Sequence, residues 1–131
     1  MGGSLRIRTV KEGKDLLEKD PVLRRIVEVI VREIDPDKII LFGSRARGDY
    51  TEGSDYDILV LKEGVRPEDR GKWEMKVEMA LLREGIFTPA DVIVQDAVRY
   101  ENLKNRMGKV YYSVSREGIL VYERRRGKRV A

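Results

Sequence analysis

The chain has 131 residues, 41% hydrophobic and 38% charged, with a net charge of +4. That is the length and core content of one domain, and the charge is compatible with a polyphosphate ligand without demanding one. With no cysteine and no histidine, disulfides, thiolate or imidazole metal sites and Ser-His-Asp triads are excluded, which leaves acid–base and metal chemistry to carboxylates and to oxygen-liking cations.

Residues 1–20 are read as an N-terminal segment, with Met1 to Ser4 left out of the fold argument. Asp20-Pro21 supplies a cap and a first-turn proline. Leu23, Ile26, Val27, Ile30 and Ile34 then recur at helical spacing, so the sequence predicts a helix over 21–34. Lys38 to Phe42 is a short apolar run closed by glycine and reads as a buried strand. Residues 43–54 form a Gly- and charge-rich connection, and Tyr56 to Leu61 form a second strand. Pro67 opens a helix with Trp73, Val77, Ala80 and Leu81 on its core stripe and Gly85 as its stop. Ala90 to Val94 reads as a third strand, 97–106 and 109–117 as helices, and Ile119 to Tyr122 as a last strand. The expected fold is α/β, one domain over 21–123 with a small mixed sheet flanked by helices, followed by a basic tail at 124–131. No apolar run approaches the roughly 18 residues of a membrane span, and no apolar stretch of signal-peptide length opens the chain, so a cytoplasmic protein is expected. The charge-rich, cysteine-free composition matches that of heat-adapted proteins.

The chemistry concentrates in residues 43–57, GSRARGDYTEGSDYD. Gly43 turns the chain after the first strand. Ser44 adds a hydroxyl and a backbone N–H, and Arg45 and Arg47 add two guanidinium forks suited to phosphate. Gly48 turns the chain back, and the loop reads as a seat for a phosphate chain. Asp55 and Asp57 follow at the start of the second strand. Residues i and i+2 share a strand face, so the two carboxylates project together with their Cα atoms roughly 6–7 Å apart, while Tyr56 points the other way. Such a pair repels unless a cation lies between, a need that magnesium fills. Asp91, at the start of the third strand, would join them from a neighbouring strand. Three carboxylates and a phosphate seat are the parts of a two-metal phosphoryl-transfer site.

These residues resemble the polymerase-beta-like nucleotidyltransferase superfamily, and within it the minimal nucleotidyltransferases. The hallmark is Gly-Ser, ten residues, then Asp-x-Asp. Gly43-Ser44, residues 45–54 and Asp55-Tyr56-Asp57 match it without a gap, and the third family aspartate maps onto Asp91. The resemblance covers roughly 20–123. It implies transfer of a nucleoside monophosphate, AMP from ATP, to a hydroxyl with release of pyrophosphate. Asp55 and Asp57 would hold two Mg2+ ions, Asp91 would hold the one nearer the acceptor and help deprotonate it, and Gly43 and Ser44 would grip the β- and γ-phosphates. It also implies an antitoxin role, with AMP added to a tyrosine of a helical HEPN-type toxin. Two other readings stand beside this one: a small-molecule acceptor such as an aminoglycoside, and a non-catalytic antitoxin that blocks its partner sterically. Asp49 and Glu52 are read as solvated loop charges, and Trp73 as core. Tyr111, Tyr112 and Tyr122 are read as packing or interface residues. The arginine-rich tail is read as surface, and neither nucleic acid nor a membrane is expected as a partner.

Overall fold

The computed structural model describes residues 10–104, 108, 111, 114 and 116–124. The element order is α1 (Val10–Lys19), α2 (Pro21–Ile34), β1 (Lys38–Phe42), α3 (Ser44–Arg47), β2 (Tyr56–Lys62), a 3-10 turn (Pro67–Asp69), α4 (Arg70–Arg83), β3 (Ala90–Asp96), α5 (Ala97–Leu103) and β4 (Ile119–Glu123). The strands form one four-stranded mixed sheet in the order β3-β2-β1-β4. β1 is antiparallel to both β2 and β4, and β2 is parallel to β3. The expected α/β domain with a small mixed sheet between helices is therefore the fold observed. Of the stretch expected as a helix over 109–117, Tyr111, Val114, Arg116 and Glu117 are helical. Tyr112, the rest of that stretch, the end of the helix expected over 97–106, the tail after Arg124 and Met1 to Ser4 lie outside the described residues.

Alternation along the strands divides the apolar residues between two faces. Ile39, Leu41, Ile58, Val60, Val92 and Val94 face the larger cluster, with Leu23, Ile26 and Ile30 of α2 and Val77, Ala80 and Leu81 of α4. Ile40, Phe42, Leu59 and Leu61 face a smaller cluster with Tyr100, Tyr111 and Val114. Asp57 and Asp91 share the parity of the second face, so the carboxylates emerge on the thinly covered side of the sheet. The α2 cap is as the sequence predicts: the Asp20 carboxylate accepts the Leu23 N–H at 3.0 Å, and Pro21 fills the first turn.

Helix α1 has no counterpart in the sequence reading, which left residues 1–20 without an element. It lies against β4, and Gly13 is the reason it can. A Cβ built there would fall 2.0 Å from the Leu120 carbonyl oxygen. The glycine lowers helix propensity and in exchange lets the two backbones touch.

At Val94 the outer edge of β3 is engaged by side chains of α4. The Glu74 carboxylate accepts the Val94 N–H at 3.0 Å, and Arg70 donates to the Val94 carbonyl at 2.9 Å. On the surface, Arg32 pairs with Glu84 at 3.1 Å, Arg83 with Glu33 at 3.3 Å and Arg25 with Glu84 at 3.6 Å, tying α2 to α4. Exposed pairs of this kind are each worth about 0–1 kcal/mol. Among the described residues, no helix is long and apolar enough to cross a membrane.

Helix propensity alone makes Gly13→Ala favourable by about 1 kcal/mol. The contact with Leu120 reverses the sign. The variant should lose about 1–3 kcal/mol of stability, as overpacked sites do, read as a lowered midpoint in urea unfolding followed by circular dichroism.

Candidate active site

The loop after β1 is built by two glycines around a four-residue helix. Gly43, with φ +76°, precedes α3, and Gly48, with φ +93°, follows it. The Gly43 carbonyl accepts the N–H groups of Ala46 and Arg47, each at 3.0 Å, closing the turn. Gly43 is fixed by space as well as by backbone conformation, since a Cβ there would lie 2.1 Å from Asp57 Oδ2. The glycine end of the motif thus packs directly on a carboxylate of its acidic end. Ser44 is half-buried as the first residue of α3.

Asp57 stands between two strands. The antiparallel register sets it opposite Phe42 of β1, and the parallel register sets it opposite Asp91 of β3. The neighbouring-strand placement expected for Asp91 is therefore observed. Asp57 is half-buried, and Asp55 and Asp91 are exposed to either side. Burial, and after it the charges of Asp91 and Asp55, raise the Asp57 carboxyl above its ordinary pKa, while Arg47 acts in the opposite direction. Among the described residues no three acidic side chains are gathered tightly enough to form a ready cage for an ion.

Tyr56 points away, as strand alternation predicts. It is buried on the opposite face, and its hydroxyl donates to the Asp20 carboxylate at 2.9 and 3.0 Å. Burial, with that hydrogen bond and the Asp20 charge, pushes the phenol up to about 12.

The two arginines of the motif have different surroundings. Arg45 donates from Nε to the Ser54 carbonyl at 3.0 Å and from Nη2 to the carbonyls of Glu52 at 3.1 Å and Thr51 at 3.4 Å. Its guanidinium lies 4.1 Å from the centroid of the Tyr56 ring and 4.6 Å from that of Tyr50. The expectation gave this fork to phosphate; in the structure it holds the loop that leads into Asp55. Arg47 donates to Asp49 at 3.1 Å and to Glu117 at 2.9 Å, and those carboxylates, Asp49 foremost, hold its proton more tightly. Asp49, expected as a solvated charge, is thus paired.

Glu117 is a site residue that the sequence reading missed. One carboxylate oxygen accepts the Gly43 N–H at 3.2 Å and the Arg47 guanidinium at 2.9 Å, and its charge reaches Asp57. The register explains its place. Leu41 pairs with Ile119 in the antiparallel β1–β4 ladder, and Glu117, in the helical stretch just before β4, is thereby brought beside the Gly43 turn. The signal in the sequence is an acidic residue just before the last strand, legible only once β4 is known to lie beside β1.

Two outcomes follow from this geometry. Asp57 binds its proton more tightly in the folded chain, so its contribution favours folding below the ordinary carboxylate value of 3.8 and is lost as pH rises through the raised value. With divalent cations chelated, Asp57→Asn should therefore melt higher than wild type at pH 7, and the gap should shrink as pH falls toward 4 in a series of thermal melts. Arg45→Lys keeps the charge and loses the fork. Amide hydrogen exchange across residues 49–55 should speed up several-fold in that variant, while the strands stay protected.

The chain is similar to known proteins. The family model "Polymerase beta, Nucleotidyltransferase" matches residues 24–127. A crystal structure of a putative nucleotidyltransferase from Sulfolobus solfataricus superposes with a TM-score of 0.56 at 26% identity, covering 95% of this chain and 93% of that one. A Methanocaldococcus jannaschii protein named "Putative protein adenylyltransferase MJ0604" is 79% identical over 24 residues, 18% of this chain and 24% of the relative's length. The aligned segment thus spans about a quarter of that relative. A chain of a toxin–antitoxin crystal structure with AMP-PNP is a more distant likeness, at 20% identity and a TM-score of 0.48 over 79% of this chain and 75% of that one. The family model spans most of the chain, and the chain belongs to the polymerase beta nucleotidyltransferase family.

Proposed function

We propose that this nucleotidyltransferase moves AMP from ATP to a protein hydroxyl, a tyrosine of a HEPN-type toxin encoded beside it, and so acts as a cytoplasmic antitoxin. The observation that carries the reading is the register of Asp57 against Asp91, with Gly43 packed on the Asp57 carboxylate. It brings the acidic edge and the phosphate loop into one place. The short, closely matching segment in a relative named as a protein adenylyltransferase supports AMP and a protein acceptor. The antitoxin role rests on the resemblance of the Gly-Ser…Asp-x-Asp motif to minimal nucleotidyltransferases.

The donor set fits magnesium. It offers only hard carboxylate oxygens, and the Asp91 and Asp55 charges act on the half-buried Asp57 carboxyl. Asp55, Asp57 and Asp91 would hold the ions, which when bound neutralise the triphosphate and acidify the acceptor hydroxyl. The chain's own groups do the rest. The backbone N–H groups of Gly43 and Ser44 and the Arg47 fork receive phosphate oxygens as charge builds on the leaving pyrophosphate. Asp91, at the exposed margin, would take the acceptor's proton. Arg45 keeps the 49–54 loop folded so that Asp55 arrives on the face of Asp57.

The test is durable modification. The neighbouring toxin is treated with this protein, ATP and magnesium, then purified away and analysed by mass spectrometry and ribonuclease assay. The toxin should carry added AMP on a tyrosine and remain inactive after separation. Asp55→Asn should reduce transfer by at least about 100-fold. A toxin that regains full activity once separated would make the neutralisation steric.

A further inference from the structure

We infer that Glu117 is a resident occupant of the phosphate seat, a carboxylate that a nucleotide must expel in order to bind. The inference rests on the nucleotide reading above and adds a competitor built into the chain itself.

The two donors assigned to phosphate on this side of the loop are already engaged. The same oxygen of Glu117 accepts the Gly43 N–H at 3.2 Å and the Arg47 guanidinium at 2.9 Å. A backbone amide and an arginine fork converging on one oxygen is the arrangement a phosphate oxygen would find there. The side chain is only 17% exposed, so it is laid into the site rather than extended into solvent. Glu117 lies in a helical stretch two residues before β4, whose first residue, Ile119, pairs with Leu41 of β1. The backbone that carries it is thus anchored to the sheet close to Gly43. Every other acidic group near Asp57 raises the same objection to Glu117: its charge adds to those of Asp91 and Asp55. A carboxylate is kept in such company by the donors it holds.

The consequence is a threshold. One carboxylate brings a single negative charge to the Gly43 amide and Arg47. A triphosphate brings several, and with its bound cation it also relieves the repulsion among the aspartates, so it can displace Glu117 where a weakly charged ligand cannot. The side chain need only rotate away. The amide and guanidinium stay where they are, held meanwhile in the arrangement the ligand requires. Nucleotide affinity is thus lower than the bare seat would give, and the Gly43 amide and the Arg47 fork keep a partner in the meantime.

The experiment measures ATP binding by isothermal titration calorimetry, in magnesium and again in chelator, for wild type, Glu117→Ala, Glu117→Gln and Glu52→Gln. Removing the competitor should tighten ATP binding about tenfold in Glu117→Ala, the scale of one hydrogen bond to a charged group. Glu117→Gln keeps an oxygen on Gly43 without the charge and should fall between. Glu52→Gln removes an exposed loop charge that touches neither donor and should bind as wild type. In nitrogen–proton correlation spectra, the Gly43 amide should move both on ATP addition to wild type and on Glu117→Ala alone. Unchanged or weaker ATP binding in both Glu117 variants overturns the occupant role while leaving the nucleotide reading intact. An equal gain in Glu52→Gln overturns it in favour of general charge repulsion. Failure of wild type and Glu117→Ala alike to bind ATP overturns the nucleotide reading, and the inference with it.

Discussion

Gly43 lies so close to the Asp57 carboxylate that no side chain can come between them, and the architecture around the site serves that contact. β1 must deliver the glycine at the height where β2 delivers the aspartate, which the antiparallel pairing of Phe42 with Asp57 does. The positive-φ turn at Gly43 then starts α3, whose Ala46 packs into the larger apolar cluster. The parallel strand β3 adds Asp91 at the same level. Bringing carboxylates this near one another opposes folding through burial and repulsion. The two apolar clusters on either side of the sheet supply the opposing stabilisation.

The arginines show how one short sequence divides its labour. Arg45 spends its fork on three carbonyls of its own loop and its flat face on Tyr50 and Tyr56. Tyr56 in turn holds Asp20, the cap of α2. One chain of contacts thus runs from the start of α2 through the buried face of β2 to the loop that presents Asp55. Arg47, two residues later and on the other side of a single helical turn, faces Glu117 and the site.

Much of this was legible in the sequence, for local reasons. The capped helix, the apolar strands and the glycine-bounded loop follow from periodicity and turn chemistry, and all appear where expected. The face of Asp57 needs only strand alternation, whereas Asp55, expected at the start of the strand, lies one residue before it. What stayed hidden depends on partners far away in the chain. Helix α1 has a glycine in its middle, which reads as a weak helix until Leu120 is seen beneath it. Glu117 becomes a site residue only through the β1–β4 pairing. The destination of Arg45 could not be read either, because a guanidinium serves phosphate and carbonyl oxygens equally well, and only the path of the loop decides between them.

The outer strand of the sheet carries a further consequence. An open edge offers a row of N–H and C=O groups to any extended chain that drifts by. At Val94 both groups are taken, the amide by Glu74 and the carbonyl by Arg70. An incoming strand would have to strip away a carboxylate and a guanidinium before it could zip onto the middle of β3. At that point the sheet is proofed against growth: neither a second molecule nor a misfolded neighbour can extend the ladder there, and a protein that docks on this flank must read side chains and helix surfaces instead of backbone.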